Sequence, residues 1–256
     1  MKILVAIKQV PARDAAVHIN SEGRWVEERD LEWSLNESDA YALEEALQLK
    51  DSLSGEVVVL SAGPERAGSV IREALAKGAD RGIHLECDDL QDRDALGVAR
   101  LLEAAIRTEN PDLVLTGLQS DDLGYGQTGV ILAELLGLPH ASLVLHAEKI
   151  TTGLSVKREL EGGWFQTIEL PLPALLSIQS GGSKLRYATL MGIKRAKTKE
   201  VRRLSAAELN VNSSQSVSLA AISLPKKQKS TQMIDGPPQQ AAASLVEKLK
   251  FEAHVL

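Results

Sequence analysis

The chain has 256 residues, of which 44% are hydrophobic and 25% are charged, an ordinary composition for a globular protein with a sizeable core. Its formal net charge of −6 argues against nucleic acid as the main partner, and its single cysteine, Cys87, excludes an internal disulfide framework. No apolar run approaches the roughly 20 residues of a membrane span, so we expect a bacterial cytoplasm or a mitochondrial-matrix-like interior.

The first 145 residues alternate between strand-like and helix-like segments. The apolar run 3–7 predicts a strand buried on both faces, and Pro11 and Arg13 soon after it argue against a signal peptide. Asp39 is expected to be the N-cap of the first helix, which Gly55 closes. Further strands are predicted at 57–60, 83–85 and 113–115, and further helices at 70–76, 95–107 and 130–136. Alternation of this kind predicts a parallel sheet flanked by helices.

The pattern changes after about residue 155. Residues 156–161 and 164–170 flank Gly162-Gly163 and predict a β-hairpin, which another apolar strand follows at 174–178. The later part of the chain has a basic stretch at 184–203, a stretch rich in Ser, Gln and Lys at 205–229, and a short predicted helix at 241–250. The tail from 205 onward is expected to be a linker or an arm lying on another subunit.

The most informative short segment is the glycine-rich loop 117–129, which joins a predicted strand to a predicted helix. Open α/β sheets bind ligands at this edge. The glycines let backbone N–H groups approach a phosphate, the following helix presents its positive end, and Thr128 can add a hydroxyl donor. The alternative is that the glycines make only a flexible connection.

Other types of nucleotide site fit this chain less well. Gly124-x-Gly126-x-x-Gly129 matches the dinucleotide fingerprint in form, but it begins too far from the end of the strand, and two acidic residues precede it. No Walker-A lysine follows the loop. The segment 180–183, Ser-Gly-Gly-Ser, is similar to the phosphate loop of ATP pyrophosphatases but lacks the acidic residue that should follow, so it is interpreted as a turn.

The sequence contains no convincing catalytic constellation. No pair among its five histidines has metal-ligand spacing, and Cys87 is interpreted as a buried thiol. The acidic pairs Asp88-Asp89 and Asp121-Asp122 are interpreted as solvated charge or helix caps. The basic run 194–203 favours docking to a protein, because aromatic residues make up only 3% of the chain and leave no stacking platform for nucleic acid.

Taken together, these segments resemble the β subunit of electron transfer flavoproteins over nearly the whole chain. The most specific stretch is 156–177, whose order of basic, acidic, Gly-Gly, Gln, aliphatic and Leu-Pro-x-Pro-Ala residues is similar to the signature hairpin of the family. Residues 186–190, Arg-Tyr-Ala-Thr-Leu, and the lysine-rich run after them are similar to its partner-recognition loop. Segments 42–47 and 76–84 also fit.

The resemblance implies an α/β fold with a parallel-sheet, Rossmann-like core of the adenine nucleotide alpha hydrolase-like type, a β-hairpin and an extended C-terminal arm. It implies a nucleotide-binding domain at 1–204, which includes the hairpin 156–178 and the partner-recognition loop 184–204. The arm 205–256 would pack on an α subunit. That subunit would hold most of a redox-active FAD, while this one would bind a structural AMP. The heterodimer would carry electrons from flavin dehydrogenases, such as acyl-CoA dehydrogenases, to a quinone oxidoreductase, without catalytic residues in this chain.

The resemblance also implies roles for particular residues. By position, the AMP site would use Ala6, Asn36, Glu37, Ser38, Asp39, Ala62, Gly117, Gln119, Ser120, Asp121, Asp122, Leu123, Gly124, Tyr125, Gly126, Gln127 and Thr128. Leu190 would be a hydrophobic anchor that enters a pocket on a dehydrogenase, with Arg195 and Lys197 beside it. The alternative for Leu190 is an ordinary core leucine.

Alternatives remain open for the function. Gln127-Thr128-Gly129 favours AMP over the second FAD that bifurcating relatives carry in its place, with Tyr125 expected to point outward. Arg13 stands at the flavin-facing turn, where some relatives have an aromatic residue. From other classes, the chain could be an ATP-binding pyrophosphatase-type enzyme, or a nucleotide-binding signalling module that forms a homodimer without flavin.

Overall fold

A nine-stranded sheet organises the part of the chain that the computed structural model describes, which comprises residues 1–90, 93–209, 211, 216–225 and 231–255. Parts of the predicted Ser-, Gln- and Lys-rich stretch lie outside these residues. The strands in chain order are β1 (Lys2–Ala6), β2 (Gln9–Pro11), β3 (Trp33–Leu35), β4 (Glu56–Gly63), β5 (Arg81–Glu86), β6 (Leu113–Gly117), β7 (His140–Ile150), β8 (Gly153–Glu159), β9 (Phe165–Leu170), β10 (Ala174–Ile178) and β11 (Val201–Ser205). The helices are α1 (Glu37–Leu53), α2 (Gly68–Lys77), α3 (Ala95–Glu109), α4 (Thr128–Leu136), α5 (Leu190–Ala196) and α6 (Pro238–Phe251).

The order of strands across the sheet is β11-β5-β4-β1-β6-β10-β7-β8-β9. The strands from β11 to β7 are parallel to one another, and β8 is antiparallel to both of its neighbours. The prediction of a parallel sheet flanked by helices is therefore confirmed, and so is the hairpin, which β8 and β9 form around Gly162 and Gly163. Strands β2 and β3 pair in a separate antiparallel ribbon.

Alternating side chains of the central strands enter two different apolar layers. Ile3 and Val5 of β1 pack with α1 and α2, whereas Leu4 and Ala6 pack with α3 and α4. Because neighbouring β4 repeats this alternation, both faces of the sheet are covered, which explains the continuous apolar runs in the sequence.

Several elements differ from the sequence-based expectation. The strand at 174–178 follows the hairpin in the chain, yet as β10 it lies centrally between β6 and β7. Its pairing partners are distant in sequence, so periodicity alone does not place it. Strand β7 and the β2–β3 ribbon were not predicted. The segment 184–204, predicted to be a partner-recognition loop, contains α5 and most of edge strand β11.

The described residues divide into two compact units, Met1–Ala221 and Ile222–Leu256. The second unit contains α6, which begins with Pro238 at its first position, where the missing N–H costs no helical hydrogen bond. The predicted last helix is thus confirmed, with its start three residues earlier than 241. None of the described helices combines the length and the hydrophobicity that crossing a bilayer requires.

Candidate functional site

A cleft opens at the carboxyl ends of β4, β1 and β6 and encloses about 910 Å³, part of it open to solvent. The chain adds β4 and β5 on one side of β1 and then crosses over to place β6 on the other side. Such a switch point leaves a crevice between the outgoing connections of neighbouring strands, and ligands of open α/β sheets bind there. The glycine-rich loop 117–129 forms one wall of the cleft, and the start of α3 forms the opposite wall.

Asp39 connects two strand ends at the base of the cleft. Its Oδ2 accepts a hydrogen bond from the backbone N–H of Lys8 at 2.7 Å, and its Oδ1 accepts one from Gly117 at 3.0 Å. The residue is 7% exposed, and burial raises the pKa of its carboxyl to about 7. A Cβ on Gly117 would lie 2.3 Å from Asp39 Oδ1, so this contact requires glycine. The prediction that Asp39 caps α1 is wrong, because Asn36 occupies the N-cap and the Asp39 carboxylate serves the strand ends.

The start of α1 holds the first half of the glycine-rich loop in place. The side chain of Asn36 accepts a hydrogen bond from the N–H of Asp121 at 2.9 Å and donates one to the carbonyl of Gln119 at 3.0 Å. The Ser38 hydroxyl donates to the same carbonyl at 2.6 Å. These bonds join segments more than 80 residues apart in the chain and fix the loop relative to the sheet.

The two acidic residues of the loop do not line the cleft, and each has a partner. Asp121 accepts a hydrogen bond from the Glu37 N–H at 3.2 Å, at the positive end of α1. Asp122 forms an ion pair with Lys8 at 2.7 Å. Burial opposes ionisation of Asp122, but the Lys8 ammonium and the hydrogen bonds from Lys8, Ser120 and the Leu123 N–H together outweigh it and lower the carboxyl pKa. The two carboxylates are therefore not an obstacle to an anion in the cleft.

The second half of the loop presents the start of α4 to the cleft. Gly124 and Gly126 both have φ of +62°, a conformation that favours glycine. A Cβ on Gly129 would lie 2.3 Å from Ser177 Oγ, so glycine lets α4 approach the sheet closely. The side chain of the N-cap Gln127 makes no capping hydrogen bond, which leaves the first-turn N–H groups of α4 for an anion. Each glycine of the loop is therefore needed for a positive φ or for a close contact. This argues against the alternative that the glycines make only a flexible connection.

The structure brings most of the predicted site residues to the wall of the cleft. The predicted residues that line it are Ala6, Asn36, Asp39, Ala62, Gly117, Gln119, Ser120, Leu123, Tyr125, Gly126, Gln127 and Thr128. The predicted residues that do not line it are Glu37, Ser38, Asp121, Asp122 and Gly124. Each of them bonds to the loop or to its supports, and the Gly124 N–H donates to the carbonyl of Ser120 at 2.9 Å. Glu37 also forms an ion pair with Arg13.

Sequence reasoning missed the wall that α3 contributes. The unpredicted lining residues are Ile7, Lys8, Leu90, Arg93, Asp94, Ala95, Val98, Leu102, Thr116 and Leu118, of which Leu118 falls within the loop. One signal was present in the sequence, since Asp94 directly precedes the predicted helix 95–107. An N-cap after a parallel strand places a second helix start at the same edge of the sheet, and Asp94 indeed accepts from the Gly97 N–H at 2.7 Å.

The residues that could suggest catalysis have structural partners. Cys87 is buried, its thiol donates to Asp89 at 2.7 Å, and burial raises its pKa to about 11, so the prediction of a buried thiol is confirmed. His84 is buried, with Nε2 3.1 Å from the carbonyl of Gly63. Over the described ranges, no group of three His, Cys, Asp or Glu side chains could hold a metal ion. The Ser-Gly-Gly-Ser segment 180–183 is a turn and does not line the cleft.

A second feature is the exposed apolar surface at the start of α5. Leu190 is 88% exposed, so the alternative of a core leucine is wrong, and Tyr187, Met191 and Ile193 are exposed beside it. The Thr189 hydroxyl accepts a hydrogen bond from the Gly192 N–H at 3.0 Å and caps the helix. The helix is therefore ordered although its apolar side chains face solvent.

The base of this surface is anchored from both sides. A Cβ on Gly192 would lie 2.2 Å from the carbonyl oxygen of Ala76, so α5 packs closely on the end of α2. The Arg186 guanidinium pairs with Glu44 at 2.9 Å before α5, and Lys199 donates to the carbonyl of Leu75 at 3.0 Å after it. The cations that stay exposed close to the helix are Lys194, Arg195 and Lys197.

Comparison with known proteins identifies one family for this chain. Residues 24–209 match the family model of the electron transfer flavoprotein domain. The chain is 40% identical to the electron transfer flavoprotein subunit beta of Methylophilus methylotrophus, over 96% of this chain and 97% of the relative. It is 34% identical to the mitochondrial subunit beta of Arabidopsis thaliana over the full length of both chains. It is 32% identical to the subunit beta of Bacillus subtilis, over 90% of this chain and 91% of the relative.

Proposed function

The chain belongs to the electron transfer flavoprotein family as a β subunit, and from this premise we propose that it is the AMP-binding half of a heterodimeric electron carrier. Membership makes it part of a flavoprotein that transports electrons, with the role of a carrier. In the proposed heterodimer an α subunit holds most of the FAD, the arm 205–256 packs on that subunit, and the pair works in the interior of a bacterium or an organelle.

The uncapped start of α4 inside the cleft is the observation that supports AMP. A phosphate placed there would accept hydrogen bonds from first-turn N–H groups and from the Thr128 hydroxyl. The base would lie toward β4, where Ala62, Leu90 and Val98 form an apolar wall. Strand β1 lies between β4 and β6, so these two strands are two strand spacings, or about 10 Å, apart. This distance suits the length of a nucleoside monophosphate.

In this proposal, the chain positions cofactors and performs no bond chemistry. FAD supplies one- and two-electron transfer when it is bound. The residues of this chain hold the loop rigid through Asp39, Asn36 and Lys8, so that a nucleotide becomes part of the scaffold that faces the α subunit.

The α5 surface would receive the electron donors. Leu190 would enter an apolar pocket on flavin dehydrogenases such as acyl-CoA dehydrogenases, while Arg195 and Lys197 would steer acidic partners toward it. The reduced carrier would then pass its electrons to a quinone oxidoreductase. The anchoring of Arg186 and Gly192 supports this use, because an ordered surface loses little conformational entropy on binding.

Analysis of the bound nucleotides tests this function. The chain would be co-expressed with the α subunit, and the acid-released nucleotides separated by chromatography. One AMP per FAD is the expected result. Two FAD and no AMP would contradict a structural AMP and support the bifurcating alternative. A colourless pair would contradict a flavin carrier altogether. Turnover of ATP with Mg²⁺ would favour a pyrophosphatase-type enzyme, although the turn 180–183 lies off the cleft.

A further inference from the structure

The guanidinium of Arg93 has one donor that the protein leaves without an acceptor. Its side chain is only 7% exposed and forms an ion pair with Asp89, in which Nη2 donates at 2.8 Å and Nε at 3.2 Å. Over the described residues, the buried Nη1 has no hydrogen-bond partner. A buried N–H without a partner is unfavourable, and such atoms in folded proteins call for an explanation.

Arg93 lines the cleft, and its geometry is set by Asp89. The guanidinium is planar and carries its five N–H donors in fixed directions. Since Nε and Nη2 face the carboxylate, Nη1 lies on the edge of the group turned away from Asp89. The thiol of Cys87 donates to the same carboxylate at 2.7 Å and helps to fix it. Asp89 is therefore a positioning residue for Nη1.

The position of Arg93 in the fold selects one end of the proposed nucleotide. Arg93 follows β5 and precedes α3 by two residues, so it lies on the β4 side of β1. The start of α4, which would hold the phosphate, follows β6 on the other side of β1. Of the cleft residues close to Arg93 in the chain, Leu90, Ala95 and Val98 are apolar. The adjacent Asp94 also lines the cleft, but its carboxylate accepts hydrogen bonds from the N–H groups of Gly97, Ser216 and Val217. This is the end of the cleft that suits a planar base.

We propose that Arg93 is a specificity-determining residue whose Nη1 donates a hydrogen bond to a ring-nitrogen acceptor of the bound base. The inference rests on the proposed function, because it requires a nucleoside monophosphate in the cleft. Arginine has donors and no acceptor, so it selects an acceptor edge such as N1, N3 or N7 of adenine. Occupation by a nucleotide would give Nη1 the partner that it lacks among the described residues.

Base analogues test the hydrogen bond in the unaltered protein. The full-length chain, stripped of nucleotide, would be titrated calorimetrically with AMP and with its 1-deaza, 3-deaza and 7-deaza analogues. Each analogue replaces one ring nitrogen by C–H and keeps the phosphate and ribose. We expect one of the three to bind about 10-fold to 100-fold more weakly than AMP, the loss typical of a buried hydrogen bond to a charged donor.

The variant Arg93→Gln shows whether Arg93 is the donor. We expect it to weaken AMP binding by a similar factor and to bind AMP and the discriminated analogue equally, because the donor is gone. The matched control is Arg107→Gln in α3, where an exposed guanidinium pairs with Glu103 at 2.7 Å; it should bind all four nucleotides as the unaltered chain does.

Two results would overturn the inference while leaving the proposed function intact. In one, the unaltered chain binds AMP and all three analogues equally. In the other, Arg93→Gln weakens AMP and every analogue by one common factor, which indicates a purely structural role. Failure of the unaltered chain to bind AMP would instead contradict the proposed function, and the inference would fall with it.

Discussion

Substitution of Gly117 by alanine should separate the glycine-rich loop from α1. The new Cβ would lie 2.3 Å from both Asp39 Oδ1 and Ser38 Oγ, and 2.8 Å from the backbone nitrogen of Asp39. Relaxed contacts of a carbon atom are about 3.5 Å, so the gap between β6 and α1 must open. The two side chains cannot simply rotate away, because they are bonded to Lys8 and to the carbonyl of Gln119.

The expected loss of stability follows from two costs. Overpacking of this kind costs about 1–3 kcal/mol, and loss of the hydrogen bond from Gly117 to the Asp39 carboxylate costs about 1.5–3 kcal/mol. We therefore expect the free energy of unfolding to fall by about 2.5–6 kcal/mol. Urea denaturation measures the change, and calorimetric titration should show at least about 10-fold weaker AMP binding, since the loop moves with Gly117.

A glycine with open space provides the matched control. Gly68 has φ of −58°, and a Cβ there would have only His84 Nδ1 near it, at 4.0 Å. Gly68→Ala should leave AMP binding unchanged and stabilise the chain by about 0.5–1 kcal/mol. If the free energy of unfolding of Gly117→Ala lies within about 0.5 kcal/mol of that of the unaltered chain, and the variant binds AMP equally well, the close packing of the loop on α1 is refuted.

Three further substitutions test the pKa of Asp39, the ion pair and the docking surface. Burial raises the pKa of Asp39 from 3.8 to about 7, so the folded chain retains a proton that the unfolded chain releases. The stability that this retained proton contributes is complete below pH 4 and is lost as the pH rises to about 7. Across that range, the free energy of unfolding measured by urea denaturation should decline by up to about 4 kcal/mol, and Asp39→Asn should remove this decline. Lys8→Met should lower the free energy of unfolding by about 1–3 kcal/mol, because it leaves the carboxylate of Asp122, which is 10% exposed, without its cation. Leu190→Ala should leave stability and cofactor content unchanged but slow electron transfer from dehydrogenases about 10-fold or more in stopped-flow reduction, whereas Leu53→Ala should not.

Each of these expectations has a result that would contradict it. Parallel pH profiles of stability for the unaltered chain and Asp39→Asn would show that the carboxyl does not titrate with a raised pKa. Unchanged stability of Lys8→Met would show that solvent screens the ion pair. Loss of cofactor from Leu190→Ala would show that this leucine supports the fold instead of contacting a partner.

Short-range features of the sequence were sufficient to determine the class of fold and the position of the cleft. The apolar run at 3–7 predicts a strand buried on both faces, and the run at 113–115 predicts a further strand. The glycines between Gly117 and Gly129 mark the connection to α4. These signals are local, because strand burial and backbone conformation depend on neighbouring residues. Residues 36–39 were predicted to bind a nucleotide only from the resemblance to the family, because the periodicity of the sequence gives no sign of such a role.

Only the tertiary structure decided how these pieces meet. It placed β10 at the centre of the sheet, directed the Asp39 carboxylate to two strand ends in place of capping a helix, and gave the carboxylates of Asp121 and Asp122 their partners. It also brought Arg93 to the wall opposite the glycine-rich loop. Each of these outcomes depends on contacts between residues that are far apart in the chain, and such contacts leave no periodic pattern in the sequence.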